Sequence, residues 1–312
     1  MKNTYLTMLL LVSFLSFGQK KNSRQDEILF EKAVTLHALV YDDLNLDFHI
    51  KEADSTDEKA VYAKEIKETI LEKALVVYNQ LIDSFPKSKL VYRALNNKGF
   101  IEVELDDLGE AKKTYLSILN SPANDKERGG VGSGIMGEPY ANYKNRAAKQ
   151  LAEIAIKQEN YQEALGFLEQ TKTHKYQHFC GNEYAADEIY TVTAYAKCYN
   201  GLQQTEKAYE TLLPYIIENG LADNSDLVDF AIKMLLERYK KDELKQKFEE
   251  AFKNAIVEKG KGGDGTDRYY IDFLNTKIQI DSWMIASGDA SERNKELNAT
   301  MIESGFYKRL SQ

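Results

Sequence analysis

The sequence is poor in cysteine, proline and tryptophan: its 312 residues include two Cys, four Pro and one Trp. Two cysteines cannot build a disulfide-dense scaffold or a four-thiolate zinc site. Four prolines exclude a proline-rich linker. Beyond residue 18, no apolar run approaches the about 20 residues that a membrane-spanning helix needs. The rest of the chain is therefore predicted to have no membrane span.

The chain also lacks a positive net charge. Its 41 Lys and Arg residues stand against 49 Asp and Glu residues, which gives a formal net charge of −8. An acidic chain repels phosphate backbones, so a nucleic-acid partner is not expected. Apolar residues make up 43% of the sequence, which is enough for a core and excludes disorder of the whole chain.

The first 18 residues have the pattern of a secretory signal peptide. Lys2 gives a basic start, residues 6–17 are apolar, and Ser16 and Gly18 place small side chains at positions −3 and −1 of a cleavage site. We therefore expect an exported protein, periplasmic or secreted, whose mature chain begins at Gln19. An uncleaved membrane anchor is the alternative, although the apolar run is shorter than the about 20 residues that span a bilayer.

The remaining chain is divided by its pattern into three parts. Residues 19–57 predict one helix, over 24–41, followed by a polar linker. Residues 58–220 alternate long amphipathic stretches with short polar turns, which is typical of paired helices. Residues 221–312 predict a C-terminal helical pair and cap.

The C-terminal part has its own signals. Residues 226–239 and 242–256 each carry an apolar helical face and predict a helix pair. Residues 269–280 are rich in β-branched and aromatic side chains and indicate a small hairpin around Asn275 and Thr276. From residue 291 onward we expect a polar helical tail, which would cover the last repeat of a stacked array.

Four helical segments share an alanine that is followed four residues later by Tyr or Leu. These alanines are Ala74, Ala111, Ala164 and Ala208. A second small residue stands twelve positions before each of the last three, at Gly99, Ala152 and Ala196. Two small residues would let the helices of a hairpin cross closely, and the large residue would cover the crossing.

At these residues the chain resembles the tetratricopeptide repeat (TPR) family, whose motif of about 34 residues has small residues at positions 8 and 20, a large one at 24 and Pro near 32. Pro86 and Pro122 fall at or next to that last position. The resemblance covers about residues 55–220 and implies an all-α fold: a right-handed α-solenoid of TPR-like helix hairpins, followed by a short C-terminal segment that can contain β-structure. Positions 4 and 11 and the repeat spacing depart from the motif, so a helical bundle without repeats is the alternative.

The resemblance also implies a binding surface. In the family, positions 2, 5, 9 and 12 of the first helix of each hairpin face a concave groove that binds another protein or peptide. The residues predicted for this groove are Arg93, Asn96, Phe100, Arg146, Lys149, Glu153, Tyr190, Thr193 and Lys197, with Val103, Ile156 and Asn200 at the last position. The basic members would favour a partner with acidic groups; ordinary solvated helix faces are the alternative.

Other candidate sites are weak. Residues 132–137 match the letters of a dinucleotide fingerprint, but that motif needs a strand before it and a helix after it, so we interpret them as a loop. His174, His178 and Cys180 have metal-ligand types without a defensible spacing. A disulfide between Cys180 and Cys198 would require the chain to fold back along a helix. His37 is interpreted as a packed polar residue.

The sequence thus predicts an exported TPR-like scaffold that binds another protein in the cell envelope. It predicts neither a cofactor nor an enzyme. Two alternatives stay open. Capture of a glycan or nutrient is supported by the 20 tyrosines, and an enzyme would have its site in the C-terminal region. The identity of the partner is not encoded in any motif.

Overall fold

The computed structural model describes most of the chain beyond residue 23. The described residues are 24–51, 57–128, 140–217, 220–261, 265–280, 285 and 289–312. They are mostly helical, with a small three-stranded sheet near the C-terminus, and none of their helices is long and apolar enough to cross a membrane. The expected signal peptide and the glycine-rich residues 132–137 lie outside the described residues.

The chain divides into two compact units, which are described separately here. Unit 1 comprises Met1–Ile154 and Thr173–Gln177, and unit 2 comprises Ala155–Lys172 and His178–Gln312. The helices of unit 1 are α1 (Gln25–Ala38) with a π-helical turn (Leu39–Asp43), α2 (Leu46–Lys51), α3 (Glu58–Ser84), α4 (Val91–Glu104), α5 (Leu108–Leu119) and most of α6 (Tyr143–Lys157).

The segment expected as a linker, residues 42–57, contains α2. Leu46 is buried there and Ile50 is partly buried, so two apolar side chains four residues apart attach this short helix to the core of unit 1. Two positions are too few to register as helical periodicity, which is why the sequence predicted a linker.

Helix α3 differs from the repeat pattern. It runs unbroken for 27 residues, so the segment around Ala74 is not the second helix of a hairpin that turns within 58–84. Its packing partner is α1: Ala33 and Ala74 are fully buried in one cluster, and the Phe30 and Tyr78 rings meet edge to face with centroids 6.2 Å apart. The stretch before Ala74 offers no Gly, Pro or Asn to end a helix.

Helices α4 and α5 form the hairpin that the small residues predict. Ala111 is fully buried, and a Cβ on Gly99 would lie 2.7 Å from Cζ of Tyr115. Tyr115 is itself 2% exposed, so its ring fills the space above the glycine. Asp107 caps α5 by accepting a hydrogen bond from the Glu110 amide at 3.2 Å.

Three helix pairs turn in the same way. The residue five positions before Ala111, Ala164 and Ala208 has φ = 60° in each case. The amide of the next residue then donates 2.8 Å to the carbonyl five residues earlier, as in a Schellman-type helix end. The left-handed residues are Asp106, Glu159 and Gln203. The turns joining α4 to α5, α6 to α7 and α8 to α9 therefore share one geometry.

Unit 2 is an α+β structure. Its helices are α7 (Tyr161–Thr173), α8 (Gly181–Gly201), α9 (Thr205–Leu212) with a 3-10 turn (Leu213–Tyr215), α10 (Ser225–Leu236), α11 (Lys241–Lys253), α12 (Ala290–Glu303) and α13 (Gly305–Ser311). Ala164, Ala196 and Ala208 are fully buried, as predicted. The predicted C-terminal helix pair is confirmed as α10 and α11, and the predicted helical tail as α12 and α13.

An aromatic cluster forms the centre of unit 2. Phe248 on α11 contacts Phe252, Phe273 and Phe306, with ring centroids 4.9 to 5.2 Å away. Aromatic pairs in such tilted and edge-on arrangements contribute about 0.5–1.5 kcal/mol each beyond their buried area. The cluster therefore joins α11, the sheet and α13 into one core.

The sheet is antiparallel with strand order β1 (Ile256–Glu258), β2 (Arg268–Phe273), β3 (Thr276–Ile280). The predicted hairpin is confirmed: Phe273 pairs with Thr276 across a turn in which Leu274 and Asn275 have φ of 52° and 63°. Positive φ at both central residues is the type I′ pattern, which matches strand twist. Strand β1, three residues long, was not predicted.

Candidate functional site

Two of the predicted groove residues on α4 are committed to the interior of unit 1. The Arg93 Nε donates to Glu127 Oε1 at 2.9 Å, and its Nη2 donates to the Arg128 carbonyl at 3.1 Å. Asn96 is only 9% exposed, so it contributes little to any surface and its assignment to the groove is wrong. Arg93 therefore has a structural role in holding the segment after α5.

Phe100, the third groove residue on α4, packs against α1. It is 37% exposed. Its ring stacks on His37 with centroids 5.3 Å apart and meets Tyr41 edge to face at 5.8 Å. His37 is thus a packed residue, as predicted, and its burial lowers its pKa against the raising effect of nearby carboxylates.

A satisfied polar cluster lies beside these rings. Lys67 Nζ on α3 donates to Asp47 Oδ1 at 2.6 Å and to Glu104 Oε2 at 2.5 Å, and the Tyr41 hydroxyl donates to the same Glu104 oxygen at 3.1 Å. Partial burial lowers the pKa of Lys67, but the two carboxylate hydrogen bonds outweigh it and the pKa is raised. The cluster ties α2, α3 and α4 together.

Arg146 and Lys149, on α6, are neighbours as predicted, and both face one ring. The Lys149 ammonium lies 4.7 Å and the Arg146 guanidinium 5.9 Å from the centroid of Tyr176. Arg146 Nε also donates to the Ala141 carbonyl at 3.1 Å. Both residues, like Glu153, are partly exposed. A cation–π contact thus accounts for two adjacent positive charges that the sequence left to a ligand or to Glu153.

On α8, the predicted groove residues differ in exposure. Tyr190 and Lys197 are partly exposed, whereas Thr193 is 8% exposed and its hydroxyl donates to the carbonyl four residues earlier at 2.7 Å. Thr193 is therefore unsuited to contact a partner. Lys197 belongs to unit 2, and Arg146 and Lys149 belong to unit 1, so the expectation that the three share one face stays a prediction.

The His and Cys residues form neither a disulfide nor a metal site in the described part of the chain. Cys180 is exposed just before α8, and Cys198 is buried within it. His178 Nε2 lies 3.2 Å from Asp187 Oδ2. No group of three or more His, Cys, Asp or Glu residues among those described could hold a metal ion.

Unit 2 contains a pocket of about 780 Å3 that no sequence motif indicates. Its helical walls carry charges of both signs, with Glu206 and Glu210 from α9, Arg238 from the α10–α11 connection, and Lys247 and Glu250 from α11. Arg238 forms an ion pair with Glu206. Lys247 pairs with a carboxylate one helical turn earlier at 3.6 Å.

The β2–β3 turn closes the other side of the pocket. Asp272, Leu274, Asn275 and Thr276 line it there, opposite Asn254 at the end of α11. These groups combine one carboxylate, two amides and one hydroxyl with a single apolar side chain. The hairpin predicted from the sequence is thus a wall of this pocket.

Aromatic rings form the base of the pocket. Tyr209 is 7% exposed, and its hydroxyl donates to the Met234 carbonyl at 3.2 Å. Tyr239 is partly exposed, with the Arg238 guanidinium 5.6 Å and the Lys247 ammonium 6.0 Å from its ring centroid. Sequence reasoning missed the site because its residues come from four separate elements.

No protein-family model matches the chain, and no match is found among curated proteins or among solved structures.

Proposed function

We propose that the chain is an exported scaffold of TPR-like helix hairpins that binds another protein in the cell envelope. One observation carries this proposal: the same left-handed turn joins three successive helix pairs, at Asp106, Glu159 and Gln203. Each turn stands at a fixed distance from a fully buried alanine. Local geometry repeated at matching positions is what a degenerate repeat sequence produces, because each unit solves the same packing problem.

The proposed architecture is a right-handed α-solenoid, with the first helix of each hairpin on the concave side. In that arrangement the partly exposed groove residues would meet the partner. These are Phe100, Arg146, Lys149, Glu153, Tyr190 and Lys197. Asn96 and Thr193 are left out because they are buried.

The chemistry of the partner follows from the basic members of that set. Lys149 and Arg146 are positioned on the Tyr176 ring while they stay partly exposed, so their conformational entropy is already reduced before binding. Pre-positioned cations favour carboxylates, which accept charge-assisted hydrogen bonds. The proposed partner therefore presents an acidic segment.

Site-specific photo-crosslinking in the cells that produce the protein tests this function. A photoreactive residue in place of Lys149 or Lys197 is expected to give a discrete adduct with one partner protein, which mass spectrometry identifies. The matched control is Lys113, whose side chain on α5 is 72% exposed and lies outside the proposed groove. Equal adducts from all three positions, or none from the first two, would contradict the proposal.

Export is tested separately. N-terminal sequencing of the protein from the envelope fraction is expected to start at Gln19, because small residues occupy the −3 and −1 positions before it. An N-terminus at Met1 in that fraction would show that the apolar segment is retained.

A further inference from the structure

The pocket of unit 2 has the size and rigidity of a small-molecule site. Its volume of about 780 Å3 falls within the range of about 300–1,000 Å3 that is typical of ligand pockets. Its floor is fixed by the aromatic core, since Tyr209 is 7% and Ala251 6% exposed. The opposite wall is a tight hairpin with paired backbone. The cavity is therefore part of the fold of this unit.

The lining is unusually polar for such a cavity. Nine of its thirteen residues carry a charge, an amide or an aliphatic hydroxyl, whereas ligand pockets are mostly apolar. Carboxylates only accept hydrogen bonds when ionised, guanidinium and ammonium groups only donate, and amides do both. Acceptors and donors thus alternate around one cavity.

The charge balance limits the class of ligand. Four carboxylates and two cations line the pocket, which gives a net charge of −2 and disfavours an anion. Arg238 is paired with Glu206, and it and Lys247 flank the Tyr239 ring, the surface that would otherwise attract a cation. A neutral ligand with many donors and acceptors fits this arrangement best.

The rim adds apolar surface in a strained place. Leu274 has φ = 52°, a conformation that costs a non-glycine residue about 1–2 kcal/mol and that Asn or Gly would adopt more readily. A leucine here places an apolar side chain beside the polar groups of the turn. Together with Tyr239 and Ala251 it supplies patches that could pack against C–H groups of a ligand.

We propose that this pocket binds a neutral carbohydrate. The alternating donors and acceptors would bind the hydroxyl groups of the sugar, and the tyrosine and leucine side chains would pack on its C–H faces. This site is additional to the proposed protein-binding groove, lies wholly within unit 2 and does not depend on the groove.

The test is calorimetric titration of the full mature chain with neutral cello-, xylo-, malto- and chito-oligosaccharides. We expect at least one of these to bind, with an affinity that changes little up to about 0.5 M salt, because a neutral ligand is not subject to ionic screening. The double variant Glu250→Gln/Asp272→Asn should bind about tenfold more weakly or worse. The control Glu237→Gln, an exposed carboxylate that does not line the pocket, should bind normally.

Carbodiimide labelling provides a readout without substitutions. Bound saccharide should protect Glu250 and Asp272 from modification and leave Glu237 unprotected. The proposal is overturned if none of these saccharides binds, if the protection is absent, or if the double variant retains full affinity. Binding of trilysine in place of every saccharide would also overturn it and identify a cationic ligand.

Discussion

At the scale of single residues, the small side chains predicted from the sequence mark close helix contacts. A Cβ on Gly99 would lie 2.7 Å from the Tyr115 ring, and one on Gly201 would lie 2.3 Å from the Tyr161 ring. The sequence identified Gly99 by its spacing from Ala111. It did not identify Gly201, because its partner Tyr161 begins a different helix pair.

Replacement of Gly99 by alanine tests this packing. Alanine favours a helix over glycine by about 1 kcal/mol, but the added methyl group would collide with the buried Tyr115 ring at a cost of about 1–3 kcal/mol. We expect Gly99→Ala to lower the free energy of unfolding. Gly166→Ala is the matched control, since its Cβ would meet open space and should stabilise α7. Urea unfolding compares them, and equal stabilisation by both would refute the contact.

The tyrosines also have a residue-scale explanation. Tyr78, Tyr115 and Tyr143 are at most 2% exposed and are among the largest fully buried side chains. Packing thus accounts for much of the tyrosine content that had supported glycan capture. The carbohydrate proposal rests instead on the composition of one pocket.

At the scale of elements, long periodic segments were predictable and short ones were not. The C-terminal helix pair and the hairpin at Asn275 were predicted because periodicity and turn residues extend over enough positions. Helix α2 has six residues and strand β1 has three, and tertiary contacts decide both. The sequence also could not show that α3 continues past the position of a family turn, since that depends on its packing with α1.

Lys67 provides a prediction about the attachment of α2. Lys67→Met would leave Asp47 and Glu104 without their shared partner in a site where the lysine side chain is only 13% exposed. We expect a loss of about 1–3 kcal/mol in the free energy of unfolding. Lys64→Met is the control: its pair with Glu68 is exposed and should contribute less than about 0.5 kcal/mol. Similar losses for both variants would mean that the buried cluster adds no stability.

The two candidate sites differ in how far the sequence could predict them. Groove positions follow from repeat spacing, which placed Lys149 and Lys197 on partly exposed helix faces but could not show that Asn96 is buried. The pocket joins residues between Glu206 and Thr276 from helices and a turn. Only the folded chain brings them together, so no local pattern could reveal it.

At the scale of the whole molecule, buried tyrosines predict sensitivity to high pH. Burial raises the pKa of Tyr78 to about 12, and burial together with neighbouring carboxylates raises the pKa of Tyr195 and of Tyr215 to about 12. Unfolded tyrosines release their protons near pH 10. Because the folded chain holds these protons longer, its stability should fall as the pH rises above about 10.

Urea unfolding at a series of pH values measures this effect. The free energy of unfolding is expected to stay level between about pH 7 and 9 and to decrease from about pH 10 toward 12. Tyr78→Phe, which removes one of the raised groups, should make the decrease shallower. A constant stability up to pH 12 would show that the tyrosines titrate as they do in the unfolded chain.

The whole molecule, in this account, binds an acidic segment of another protein through partly exposed residues of its first helices. The most direct test is the affinity of the crosslinked partner for the double variant Arg146→Gln/Lys149→Gln. We expect binding at least about tenfold weaker than for the unmodified chain, equivalent to about 1.4 kcal/mol, a reduced dependence on salt and an unchanged melting temperature. Full affinity with the original salt dependence would contradict the account.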